Sequence, residues 1–224
     1  MNETLINNTD LRTRILTIAL GLPWFELLAR IWKIGKKIFR GFADEGIYEV
    51  LDYECQLELN DKNGESATIK KREKVRYLQD YVLAYHDWAW GDVDVFLNYR
   101  CSPGTPVDQF RLGHKTCKLI SLREFRNKGD TDEFNIEWDM QNGFLKNIGF
   151  WGTGIRYDTH KINVKIIFPQ GRPPLSVSIT ESNLQKTKIL GPESRRVLID
   201  GRIMIVWANP NPRLHENYVL KWEW

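Results

Sequence analysis

The 224-residue sequence predicts a mainly β protein, an antiparallel β-sandwich or barrel that carries an N-terminal amphipathic helical arm. Three observations predict it. From Gly46 onward, apolar side chains recur at every second position. Clusters of Gly, Pro, Asn and Asp separate these runs, with no long helical pattern between them. Before Gly46 the apolar period is that of a helix, and one stretch is sharply two-sided. The expected boundaries are a helical arm over residues 1–45 and a β domain over residues 46–224.

In the arm, Thr9 or Asp10 can cap a helix whose apolar positions are Leu11, Ile15, Ile18, Ala19 and Leu22. Gly21, Leu22 and Pro23 interrupt it, and Pro23 suits the first position of a second helix. On a wheel at about 100° per residue, Trp24, Leu27, Leu28, Ile31, Trp32, Ile34, Ile38, Phe39 and Phe42 fill one half. Glu26, Arg30, Lys33, Lys36, Lys37 and Arg40 cluster opposite them. Residues 24–42 thus hold five cationic side chains against one carboxylate, a charge of +4 in a chain of net +3, so the remainder sums to −1.

In the β domain, Leu51, Tyr53, Cys55, Leu57 and Leu59 alternate with Asp52, Glu54, Gln56 and Glu58, the pattern of a half-buried strand. The cluster from Asn60 to Gly64 turns the chain for an antiparallel return. Residues 70–90 fit either period, and their β-branched and aromatic content favours strand. The alternation returns in Phe134 to Met140, Ile162 to Phe168, Leu175 to Ile179, Ile203 to Trp207 and Tyr218 to Trp224. About nine or ten strands of this kind make a sandwich or a closed barrel.

Composition narrows the class further. With 42% hydrophobic and 27% charged residues the chain builds a core and is not intrinsically disordered. No apolar run reaches the roughly 20 residues of a membrane-spanning helix. The polar start lacks a basic n-region and no cleavage pattern follows Ile15 to Leu22, so a secretory signal is not expected. The expected location is cytoplasmic, with peripheral attachment to the inner membrane. Cys55, Cys101 and Cys117 are odd in number and widely spaced, which predicts reduced, structural thiols.

The sequence holds no GxSxG elbow, phosphate-binding loop, HExxH helix or GxGxxG turn. Its densest polar patch runs from His86 to Asp94. Read as chemistry, His86, Asp87, Asp92 and Asp94 are ligands of a divalent cation, or the site of a hydrolase or ligand-binding barrel. Read as structure, the same residues are a strand end and a tight turn, which is the expected reading. Lys70, Lys71, Arg72, Lys74 and Arg76 with the tyrosines after them resemble a single-strand nucleic-acid patch. On a strand, however, Lys71 and Arg76 face opposite sides and acidic residues dilute the field, so nucleic acid is not the expected partner. Trp138, Trp207, Trp222 and Trp224 fall on core positions, ahead of any role in carbohydrate stacking.

From about Tyr48 to Trp224 the chain resembles an uncharacterised bacterial β-rich domain family. The stretches that carry the resemblance are KVRYLQDYVLAYHDWAWGD, ISLREFRNKGD, IIFPQGRPP, DGRIMIVW and ENYVLKWEW. The family's pattern has a second glycine after the aspartate where this chain has Val93. The resemblance implies an accessory role beside signalling or defence modules and supplies no catalytic residue. The function expected from the sequence is therefore a non-enzymatic binding module without a cofactor. Trp24, Ile31, Trp32, Ile38 and Phe39 would insert into an anionic membrane surface or a protein partner, with Lys33, Lys36, Lys37 and Arg40 meeting its anions.

Overall fold

The computed structural model describes residues 46–91 and 95–224. The helical arm and its docking residues, Trp24 to Arg40, lie outside the described residues, as do Asp92 and Asp94. Fourteen strands make up the fold in chain order: β1 (Tyr48–Leu59), β2 (Ser66–Tyr77), β3 (Val82–Trp90), β4 (Leu97–Ser102), β5 (Thr105–Leu112), β6 (Lys115–Arg126), β7 (Thr131–Gln141), β8 (Ile148–Gly154), β9 (Ile162–Phe168), β10 (Ser176–Glu181), β11 (Lys186–Ile189), β12 (Arg195–Val197), β13 (Ile203–Asn209) and β14 (Asn217–Glu223). They form three sheets, with strand orders β12-β13-β9-β1-β2-β7-β4, β11-β10-β14-β8 and β3-β6-β5.

Two expectations are corrected. None of the three sheets closes on itself, so the fold is not a barrel. Nor is every pair antiparallel: β1 and β9 run parallel, from Tyr53 beside Ile162 to Glu58 beside Ile167. Parallel pairing requires a long crossover. Here the crossover is the whole chain from β2 to β8, a separation invisible to local alternation.

The alternation itself is reproduced with local phase shifts. Cys55, Leu57 and Leu59 are buried on β1, as are Phe134, Ile136, Trp138 and Met140 on β7. A register shift between Val50 and Asp52 displaces Leu51 from the buried row, so Tyr48 and Val50 carry the core face before it. Residues 70–90 are two strands, with the turn between them at Leu78–Tyr81. Tyr77 and Tyr85 are buried, whereas Tyr81 lies in the turn and is 65% exposed, and Leu83, at a register shift between Val82 and Ala84, is 49% exposed.

All three sheets contribute to one hydrophobic core. Tyr85 of β3 stacks on Phe134 of β7 with ring centroids 3.9 Å apart and on Tyr48 of β1 at 5.6 Å. Trp222 of β14 meets Phe168 of β9 edge-on at 5.6 Å. The two small sheets therefore pack on the same inner face of the seven-stranded sheet, side by side. Two glycines are fixed by this packing. Gly64 turns at φ +76°, and a Cβ there would lie 2.0 Å from the Phe144 carbonyl oxygen. At Gly149 the Trp222 ring occupies the space of a side chain, 2.4 Å from where a Cβ would sit. No helix among the described residues is long and apolar enough to cross a membrane.

Candidate functional site: a cleft between two sheet edges

β3 ends the three-stranded sheet and β8 ends the four-stranded one. No pairing joins them, and their facing edges line a cleft of about 580 Å³ whose floor is the seven-stranded sheet. Aromatic side chains dominate its walls, among them Trp88 and Trp90 of β3, Phe150 and Trp151 of β8, Trp138 of β7 and Tyr157. Size and lining are those of a small-molecule or peptide site. Gly152 and Gly154 leave part of β8 without side chains, and the Trp90 ring comes within 3.4 Å of the position a Gly152 Cβ would take.

A buried polar cluster forms the deep end. Alternation on β2 turns Lys71 and Glu73 inward, and alternation on β3 turns Tyr85 and Asp87 to meet them. The Lys71 ammonium donates to Asp87 and, at 3.2 Å, to the Tyr85 hydroxyl; it lies 3.3 Å from Glu73. Tyr85 donates to Glu73 at 2.8 Å, and Tyr99 of β4 donates to the other Asp87 oxygen at 3.0 Å. Asp87 is fully buried, Glu73 is 5% exposed and Lys71 is 8% exposed. Burial by itself disfavours the Lys71 charge, yet Asp87 and then Glu73 outweigh it and hold the ammonium well above 10.5. Burial, reinforced by Glu73 and Asp87, pushes the Tyr85 phenol well above 10.0. Both groups keep their protons at neutral pH, so the cluster presents neither a free amine nor a phenolate as a nucleophile.

Of the sequence-predicted metal ligands, His86 and Asp87 are described, and Asp92 and Asp94 lie outside the described residues. His86 and Asp87, as consecutive strand residues, point to opposite faces of β3. Asp87 is committed to Lys71 and Tyr99. Burial, then the nearby Arg156, lowers the His86 pKa below 6.5. A different trio, Glu49, Asp158 and His160, brings its ligand atoms within 4.8 Å of one another. Glu49 is already engaged there, accepting from Arg76 at 2.7 Å and lying 2.8 Å from the His160 ring nitrogen. A cation at this trio has to compete with a guanidinium. Its members come together through the bridge between Val50 and Thr159, so no local spacing announces them.

The basic run of β2 divides as strand parity requires. Arg72 pairs with Asp52 at 2.7 Å and Glu54 at 3.2 Å, and Arg76 pairs with Glu49, all on the outer face of the large sheet. Lys165 and Lys161 of the neighbouring segment pair with Glu54 and Asp52. Arg72 and Arg76, which the linear sequence leaves bare, are thus neutralised by β1.

The thiols match the structural reading. All three are free, with Cys55 and Cys117 buried. Burial pushes both of these thiols up to about 12. Sequence reasoning missed the cleft because it is built from the facing ends of two sheets. The only local signal is the glycine-rich run Gly149, Gly152 and Gly154 flanked by aromatics, which marks a close approach.

No protein-family model matches the chain, and no curated protein matches its sequence. Solved structures of similar shape include an aminopeptidase A from Legionella pneumophila in complex with aspartic acid, at 12% identity and a TM-score of 0.45. An M1 zinc metallopeptidase from Deinococcus radiodurans matches at 8% identity and a TM-score of 0.42. A protein from Parabacteroides distasonis described as a protease matches at 8% identity and 0.49. These cover 80%, 78% and 80% of this chain, which spans only 21%, 42% and 40% of theirs.

Proposed function

We propose that the chain is a non-enzymatic binding module, a β-sandwich body whose cleft buries a ligand with an apolar core and an acidic end. The observation that carries this is the cleft itself: about 580 Å³, walled by aromatic side chains, with Lys71, Glu73 and Asp87 at its deep end engaged with one another. A site made for chemistry keeps a base or nucleophile poised toward substrate. Here Lys71 is tied to Asp87, Tyr85 and Glu73, and the Asp87 oxygens are divided between Lys71 and Tyr99. What remains for a ligand is apolar area, the lining His86 and His114 and, at the rim, the exposed Lys146 and Arg156.

Residues 24–42 complete the proposal. Trp24, Ile31, Trp32, Ile38 and Phe39 insert into an anionic membrane surface or a partner protein, and Lys33, Lys36, Lys37 and Arg40 meet its anions. The module then works at the cytoplasmic side of the inner membrane, in an accessory role beside signalling or defence proteins. For the hydrolase alternative, His86 lines the cleft, but Asp87 points to the other face of β3 and is held by Lys71 and Tyr99.

Two experiments test the reading. Laurate, which combines an apolar body with one carboxylate, is titrated against the full chain while tryptophan fluorescence is followed. Saturable quenching, weakened in Trp90→Ala and Arg156→Glu, is expected, and its absence overturns the ligand reading. Flotation with anionic liposomes, lost on replacing Lys33, Lys36 and Lys37 with Glu, is expected of the docking segment. Equal flotation of the variant removes that part.

A further inference from the structure

β8 terminates its sheet, so one of its edges faces no strand of its own sheet. Its pairing with β14 fixes which backbone groups point to that free edge. Ile155 donates its N–H to the Glu216 carbonyl at 2.8 Å, and at the other end Trp224 donates to the Asn147 carbonyl at 3.1 Å. Hydrogen-bonded positions alternate along an antiparallel ladder. Gly149, Trp151 and Thr153 therefore bond to Trp222, Leu220 and Tyr218, their partners in register. The N–H and C=O groups of Ile148, Phe150, Gly152 and Gly154 point the other way, into the cleft. Among the described residues these four have no backbone partner on that side.

Two further observations concern what would sit there. Trp138 lines the cleft and is 3% exposed, yet its indole N–H is buried without a hydrogen-bond partner. A buried donor in that state costs about 1–3 kcal/mol, which an acceptor reaching it would offset. The exposed charge at the rim has one sign among the described residues. Among the described residues lining the cleft, the exposed charged side chains are Lys146 and Arg156, which flank β8 at its two ends. The one lining carboxylate among the described residues, Glu73, is buried and held by Tyr85 and Lys71.

We propose that the cleft is a strand-addition site, in which an extended acidic peptide of a partner protein pairs with β8 as the fifth strand of its sheet. This rests on the reading of the cleft as a binding site and specifies its occupant. The peptide supplies main-chain partners to the four outward-facing residues and a carbonyl within reach of Trp138, and its carboxylates meet Lys146 and Arg156. Main-chain pairing gives such sites their affinity, and alternate side chains give specificity. The seven residues of β8 span roughly 20 Å, so the segment is a hexa- or heptapeptide. Gly152 and Gly154 add no side chains of their own there, and an incoming backbone shares that end of the cleft with the Trp90 ring.

The test selects binders from a synthetic library of acetylated, amidated random heptapeptides on the full chain, with laurate titrated in parallel. The enriched pool is expected to be richer in Asp and Glu than the input. Methylating alternate amide nitrogens of a selected peptide in one phase is expected to weaken binding about two- to tenfold per bond lost, whereas the opposite phase leaves it unchanged. Gly152→Pro removes one outward N–H without touching the β14 ladder and is expected to weaken the peptide by a similar factor. If that variant fails to fold, the two methylation phases on the unaltered protein still decide. Laurate saturation with no enriched peptides, basic enriched peptides, or equal sensitivity to both phases overturns strand addition and leaves the binding cleft. Loss of laurate binding as well removes both.

Discussion

The two faces of β2 carry the same residue types under opposite conditions. Lys71 and Glu73 point inward, where Lys71 reaches Asp87 across the interface between two sheets. One residue further, Arg72 points outward to Asp52 and Glu54 with a third of its side chain in solvent. Both sets look like ion-pair stabilisation, but their energetics differ. In water the outer pairs exchange one hydration shell for another and are worth about 0–1 kcal/mol each. The inner cluster was taken out of water entirely, so its members depend on one another: removing one strands the rest. The outer face keeps the large sheet soluble, while the inner cluster joins the β3 sheet to the seven-stranded one and sets the deep wall of the cleft.

Breaking the inner cluster is the sharpest test of that contrast. Asp87→Ala leaves the Lys71 ammonium with only Glu73 and Tyr85, and about 3–5 kcal/mol of unfolding free energy is expected to be lost. Urea denaturation measures it. The triple replacement Lys71→Met, Glu73→Gln and Asp87→Leu is expected to recover most of that loss, because no charge is then left buried. A loss below about 1 kcal/mol for Asp87→Ala would place the cluster in the same class as the surface pairs.

Gly149→Ala probes the neighbouring sheet instead. A methyl group there meets the Trp222 ring at 2.4 Å, and Trp222 is fully buried against Phe168. Overpacking of this kind costs about 1–3 kcal/mol. Gly152→Ala, whose methyl would lie 3.4 Å from Trp90, is expected to cost less. Equal losses at the two positions would mean that the Trp222 contact yields more easily than the rigid core implies.

How much of this was legible in the sequence follows the range of each interaction. The burial of Phe134, Ile136, Trp138 and Met140 is written in their spacing, because side-chain alternation is a local property of the strand. The inward position of Lys71 follows from the same parity, yet its meaning depends on Asp87 and Tyr99, and no spacing rule brings three strands of two sheets together. Asp87 itself stood inside the most polar patch of the chain, where composition alone allowed a turn or a metal site. Leu51, expected in the buried row, and Tyr81, within the strand expected over residues 70–90, differ for another reason. A register shift in β1 resets the period by one step, and Tyr81 falls in the turn between β2 and β3; both are set by pairing partners. The cleft was the least legible feature, because sheet edges exist only once the order of strands is known.

Arg72→Ala is the mild counterpart on the outer face, expected to cost no more than about 1 kcal/mol and to lose that effect in high salt. The smallest expected effect is the pH dependence of the same ladder. Arg76, followed by His160, holds the Glu49 carboxyl below 4.5, and Lys165, followed by Arg72, does so for Glu54. A carboxyl depressed in the folded state makes the unfolded chain the better proton binder, so acid favours unfolding. The contribution of these groups is therefore complete above pH 4.5 and is lost as pH falls through their lower folded values. Lys71 behaves oppositely: its raised pKa stabilises the fold below 10.5, and the benefit fades only at far more alkaline pH. Glu49→Gln combined with Glu54→Gln is expected to flatten the fall in stability between about pH 5 and pH 3, measured by urea titrations across that window. The neutral-pH stability of the double variant should change by no more than the ion pairs are worth. An unchanged acid slope would show that solvent already screens the outer ladder, leaving the buried cluster as the only charged contact in this contrast with structural weight.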